Sequence, residues 1–330
     1  MRIDLVRQEE WEELNEALHS ELKISAKNRV RAYAGLAESL YEVAQGTAQF
    51  MTHKKSVAFV SGQTPLAGLI LPYYYKETYD VRLISAMDLE KSEAAVDEFV
   101  GSLKADTAFV LVSEDHPVTG RRFSFVNRLN ELLNAKRIIT IRLSHFTHHY
   151  EHSELLSYSA RLCSWGNQQS VAILGERFRS PALIAHGLSW SKEGYLSKLR
   201  ESFQSIEPED KELILHFESQ AVQWGATPYF GVNDSRVFDR AILVFKDLNT
   251  EYLRTLLGSA FSVSEVLSTS LCALNMTISG MQWWQPLPTE DELRGMLLIS
   301  PTALKNPELA RMLRESVKQI RAEQSWEVKP

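Results

Sequence analysis

Lys192 stands in the run Gly187-Leu188-Ser189-Trp190-Ser191-Lys192-Glu193-Gly194, directly beyond the apolar residues 182–186. An ammonium drawn against the end of an apolar strand is desolvated, which lowers its pKa and makes the free amine a nucleophile toward carbonyls. Schiff-base chemistry is what this placement offers. Arg200 follows and reaches the same pocket if the chain turns back through Gly194. A surface turn with a solvated lysine accounts for the spacing equally well. The second candidate is Ser61-Gly62-Gln63-Thr64, between a β-branched run and a helical one. Glycine lets the backbone approach an anion, the helix start supplies free N–H groups, and Thr64 adds a hydroxyl. A tight strand-to-helix turn explains the same residues without a ligand.

Four histidines, His145, His148, His149 and His152, recur at i, i+3, i+4 and i+7. On a helix they would share one stripe, and imidazoles so placed bind divalent metals. Glu151 and Glu154 lie near, but no carboxylate takes the required spacing, so no residue is assigned as a metal ligand. Cys163 and Cys272 lack zinc spacing and are too few for a disulfide framework, which fits a reducing, cytoplasmic setting. Both sit among Leu, Ser and Ala, as small buried apolar residues do.

The elements that must position these groups follow from periodicity. Residues 1–22 carry Leu5, Trp11, Leu14, Leu18 and Leu22 at helical spacing, and residues 26–50 predict a second helix. Short apolar runs at 56–62, 81–86, 107–115, 138–144, 170–175 and 182–189 read as strands. Helical stretches at 65–75, 88–103 and 126–133 separate several of them. Nearly continuous apolar strands alternating with amphipathic helices predict an α/β fold with a mainly parallel sheet covered on both faces. After about residue 205 the texture changes toward a smaller α+β lobe, with runs at 241–247 and 295–301 and a final helix. The expected organisation is an N-terminal helical segment, 1–30, packing with the small lobe, a large domain over 31–205 and a small C-terminal domain over 206–330.

Of the 330 residues, 44% are hydrophobic and 24% charged, the balance of a folded globular chain. The formal charge is −6 and the pI near 5.9, so no basic surface recommends nucleic acid as a partner. No run is long and apolar enough to span a bilayer, and the acidic first residues do not form a targeting peptide. No dinucleotide fingerprint, Walker loop or nucleophile elbow is present.

Taken together, the candidate segments resemble the PLP-dependent aminotransferases of fold type I, the aspartate aminotransferase fold. Gly62-Gln63-Thr64 is similar to that family's first phosphate loop, and His116-Pro117-Val118-Thr119-Gly120 looks like an altered form of its Asn-Pro-x-Gly loop. Ser189-Trp190-Ser191-Lys192 followed by Arg200 is similar to its Ser-x-x-Lys…Arg segment. The resemblance implies pyridoxal 5'-phosphate as cofactor, Lys192 as the Schiff-base lysine and proton shuttle, and a phosphate cup of Gly62, Gln63, Thr64, Ser189 and Arg200. It also implies a homodimer and a small amino compound as substrate.

The family places an aspartate on the strand before the lysine strand, facing the pyridine nitrogen, and a tyrosine three residues on. In residues 138–146 these positions hold Arg142 and His145. They would lie on the ring's polar edge, with His116 near the ring hydroxyl. An arginine facing the nitrogen leaves it unprotonated and weakens the ring as an electron sink. The segment that brings a stacking aromatic is shortened, and Arg294 does not match the family's substrate-carboxylate arginine. A catalytically degenerate fold kept for binding or regulation is therefore the alternative to an enzyme.

Overall fold

The computed structural model describes residues 8–33, 35–61, 75–116, 119–145, 155–165, 169–178, 194–197, 208–231, 234–258, 260–263, 265–269 and 290–327. The chain divides into two compact units, 1–205 and 206–330.

In the first unit, helix α1 (Gln8–Glu21) leads to strand β1 (Arg29–Tyr33) and helix α2 (Leu36–Phe50). Strands β2 (Ser56–Ser61) and β3 (Asp80–Ser85) precede helices α3 (Ala86–Glu90) and α4 (Glu93–Gly101). Then come β4 (Thr107–Ser113), helix α5 (Val126–Ala135), β5 (Ile139–Ser144), β6 (Ser159–Trp165) and β7 (Gln169–Leu174). The seven strands form one sheet in the order β1-β7-β6-β5-β4-β2-β3. Strands β2 to β6 pair in parallel, and β7 pairs antiparallel with both β6 and β1. This is the expected α/β architecture.

Burial explains the layers. Every residue of β4 and β7 is buried, because both faces of these strands are covered. On one face Leu40, Val43, Ala44 and Ala48 of α2, one helical stripe, meet Phe59, Phe109, Leu111, Ile141, Leu143 and Leu162. Phe59 and Phe109 lie edge to face there, with centroids 5.8 Å apart. On the other face Leu14, Leu18 and Leu22 cover Val30, Ala32, Cys163, Val171 and Ile173. The apolar stripe of α1, expected to serve the small lobe, thus belongs to the core of the first unit.

Two expectations change, and one strand is added. The helix expected over 26–50 begins only at Leu36, because Arg-Val-Arg-Ala-Tyr alternates and pairs with β7 along its whole length. The helix expected over 88–103 is two, since the Ser92 hydroxyl accepts the Ala95 N–H at 3.2 Å and starts a new one. Strand β6, placed between β5 and β7, did not stand out by composition. Of the helical run expected at 65–75, residues 65–74 lie outside the described residues, as does the whole run expected at 182–189.

The second unit contains helix α6 (Pro208–Ala221), strands β8 (Thr227–Pro228) and β9 (Ala241–Val244), and helix α7 (Thr250–Leu257). Strand β10 (Val266–Ser268), helix α8 (Glu290–Gly295), β11 (Met296–Ile299), α9 (Pro301–Leu304) and α10 (Glu308–Glu327) follow. Its four strands are antiparallel in the order β10-β11-β9-β8. Ile214 and Phe217 of α6, Leu253 of α7 and Leu313, Val317 and Ile320 of α10 pack with Leu243 and Leu297 of the sheet. Arg236 and Glu218 form a buried two-toothed ion pair at 2.8 and 2.9 Å, and Glu218 also accepts the Ile242 N–H at 3.0 Å. That anchors the chain entering β9 to α6.

Candidate functional site

Parallel strands of an open sheet present their ligands at their carboxyl ends, and in this sheet that edge is charged. The parallel register pairs Val112 with Arg142 and Arg142 with Arg161. Ile139, Ile141 and Leu143 face the α2 core, so Thr140, Arg142 and Ser144 face the opposite side beside Ser159, Arg161 and Cys163. Glu114 continues β4 by donating its N–H to the Leu143 carbonyl at 2.8 Å.

Its carboxylate lies between two guanidinium groups. Arg142 Nε is 2.5 Å from Glu114 Oε1, and Arg161 donates from Nε and Nη2 to Oε2 at 3.0 and 2.6 Å. Glu114 and Arg161 are nearly sealed from solvent, at 3% and 7% side-chain exposure, and Arg142 retains 15%. Helix α5 supports the same face. Ser159 donates to Asn130 Oδ1 at 2.6 Å, and Arg142 Nη2 reaches Asn127 Oδ1 at 3.5 Å.

A second pair sits beside the first. Asp115 is fully buried, and its Oδ1 accepts the His145 N–H at 2.9 Å and faces His145 Nδ1 at 2.8 Å. His116 is buried, and its Nδ1 faces the Thr119 N–H at 3.3 Å. Accepting at Nδ1 requires that nitrogen to be unprotonated. Burial first, then the neighbouring His145, lower the His116 pKa to about 3, so the ring is neutral at pH 7. The turn that carries it is closed by Gly120 N–H to His116 O and by His116 N–H to Arg121 O, both 2.8 Å. Gly120 takes φ 69°, where a side chain is strained.

The structure therefore brings His116, Arg142 and His145 to one edge of the sheet. Gly62, Gln63, Thr64, Ser189, Lys192 and Arg200 lie outside the described residues, as do His148, His149 and His152. Among the described residues no cluster of His, Cys, Asp and Glu could hold a metal ion. No helix among them is long and apolar enough to cross a membrane. Sequence reasoning missed Glu114 and Arg161. The signal was a charged residue inside an otherwise uncharged run, Ser159-Ala160-Arg161-Leu162-Cys163, which only the pairing with β5 identifies as a strand.

The described groups can be tested against pyridoxal phosphate. The resemblance sets a carboxylate on β5 against its pyridinium; the residue at that position is Arg142, bound to the carboxylate of Glu114. The adjacent Asp115 carboxylate is engaged by His145. The resemblance also makes the lysine strand the one after the aspartate strand. In this sheet that is β6, which runs into Gly166, Asn167 and Gln168 before β7 begins. Strand β7 then separates β6 from the Lys192 segment. The donor set on the pyridine edge does not fit the cofactor.

No family model and no curated protein sequence matches the chain. Solved structures do. A NifS-like protein superposes with a TM-score of 0.68 at 13% identity, covering 96% of this chain and 88% of that one. The apo cysteine desulfurase of Thermococcus onnurineus NA1 gives 0.66 at 12% identity, covering 98% and 86%. DndA from Streptomyces lividans gives 0.62 at 15% identity, covering 89% and 88%. At such identities the likeness shows the fold: the chain has the α/β architecture of these proteins.

Proposed function

We propose that this chain uses its sheet's carboxyl edge for binding or regulation, without the Schiff-base chemistry of pyridoxal phosphate. One observation carries the reading. The position that the resemblance sets against the pyridine nitrogen carries a guanidinium, Arg142, held by Glu114 in an array shared with Arg161. Such an array orients two cations and one anion at the end of three parallel strands, and it opposes protonation of a ring nitrogen placed against it. The strand order supports the same view, since no lysine follows β6 before β7.

The test is a spectrum of the purified chain incubated with pyridoxal phosphate, followed by borohydride reduction and peptide mapping. The expected outcome is no absorbance beyond that of free cofactor and no phosphopyridoxyl label on any lysine. Transamination with any member of a broad amino-acid panel would overturn the reading.

A second reading keeps the cofactor. In it Lys192 forms the Schiff base with the aldehyde of pyridoxal phosphate, a small amino compound is the substrate, Gly62, Gln63, Thr64, Ser189 and Arg200 hold the cofactor phosphate, and two copies of the chain assemble in the cytoplasm. The fold shared with the cysteine desulfurase and NifS-like structures favours it. A borohydride-fixed label on Lys192 that disappears in Lys192→Ala would establish it in place of the first.

A further inference from the structure

We propose that the second unit carries its own binding pocket for a small carboxylic acid with an apolar body. A cleft of about 630 Å³ opens between β8, the end of β9 and α8. That is the size range of small-molecule sites. Val244, Phe245, Leu248 and Pro228 supply apolar wall, and Lys246, Arg294, Tyr229 and Glu292 supply the polar groups. Lys246 is exposed and has no hydrogen bond or ion pair among the described residues, so its ammonium is presented to an anion.

The walls are fixed before any ligand arrives. Phe245 donates its N–H to the Gly295 carbonyl at 2.8 Å. A Cβ on Gly295 would collide with the Phe245 carbonyl oxygen, so the two chains touch backbone to backbone. The carbonyl of Arg294 accepts the Thr250 hydroxyl at 2.9 Å, and that of Leu293 accepts the Thr269 hydroxyl at 2.6 Å. Tyr229 donates its N–H to Ile242 O at 3.0 Å, which sets the third wall. A site assembled on pinned backbone loses little ordering entropy on binding. Two cations against one carboxylate favour an anion, and the apolar wall favours a carbon body over a fully hydrated ion.

The experiment is calorimetric titration of the full chain with benzoate, benzyl alcohol and inorganic phosphate. Benzoate is expected to bind with measurable heat, and the uncharged alcohol and phosphate at least about fivefold more weakly. Lys246→Glu changes an exposed side chain, so its thermal transition should match the parent's while benzoate affinity falls about tenfold or more, roughly 1.4 kcal/mol. No heat with benzoate would overturn the proposal, as would equal affinity of Lys246→Glu. Phosphate binding as tightly as benzoate would overturn the apolar part of the ligand assignment. Lys91→Ala, at an exposed lysine of the first unit, is expected to leave benzoate affinity unchanged.

Discussion

Glu114 is buried between Arg142 and Arg161, so its removal and its neutral replacement should differ sharply. Deleting one member of a buried ionic group leaves charges that neither water nor a partner fully solvates. Glu114→Ala is expected to cost about 3–5 kcal/mol in urea unfolding, whereas Glu114→Leu with Arg142→Met and Arg161→Met should cost much less. If both variants lose equal stability, charge is not what the array contributes. His116 makes a separate statement through pH. Its folded pKa is held near 3, while the unfolded imidazole titrates near 6.5. Between those values the unfolded chain binds the extra proton, so stability falls as pH drops from about 6.5 toward 3 and is flat above. His116→Asn keeps an acceptor for the Thr119 N–H and removes the titration. Its unfolding midpoint should therefore slope less over that window; parallel slopes would assign the acid sensitivity elsewhere. The resembling motif singled out Arg142, His145 and His116 in the sequence, and what the structure adds is that they share one edge of the sheet. Their partners Glu114 and Arg161 were not legible there, because a salt bridge across three strands has no short-range pattern.

At the scale of elements, close backbone contact decides what a position tolerates. A Cβ on Gly175 would fall against the carbonyls of Leu156 and Ser157, where β7 ends beside the turn entering β6. Gly175→Ala should lose roughly 2–4 kcal/mol in chemical unfolding, from steric displacement of a buried ladder end. Gly101, with no atom near its missing Cβ, is the control, and Gly101→Ala should be neutral or slightly stabilising. Strands β2, β4 and β7 were readable because apolar residues fill most of their length, as in strands buried on both faces, and β5 because Ile139, Ile141 and Leu143 alternate with polar residues. Strand β1 was not. Its five residues hold two arginines, and its place comes from the antiparallel partner β7 rather than from its own composition. Strand β6 was hidden for a related reason, since one face presents Ser159 and Arg161 to α5 and Glu114 while the other presents Ala160 and Leu162 to the core. A polar face buried by specific partners looks, in sequence, like a loop.

For the whole molecule, the two units hold separate apolar cores, one centred on Phe59, Phe109, Leu111 and Ile141 and the other on Leu243, Phe245, Leu297 and Leu313. Each unit is long enough for its own core to offset chain entropy, so each is expected to unfold cooperatively. Leu111→Ala and Leu313→Ala both empty fully buried sites and should each cost about 2–5 kcal/mol. Scanning calorimetry separates the possibilities. If each core is its own cooperative unit, Leu313→Ala lowers one transition and Leu111→Ala the other, and benzoate raises only the transition that Leu313→Ala lowers. If the chain melts as one body, both substitutions and the ligand move a single transition. Pyridoxal phosphate supplies the complementary contrast. A chain whose first unit does not engage the cofactor should show no change in either transition at cofactor concentrations that leave the benzoate shift intact, while a rise in the transition sensitive to Leu111→Ala would mean that the arginine-lined edge accepts the cofactor after all.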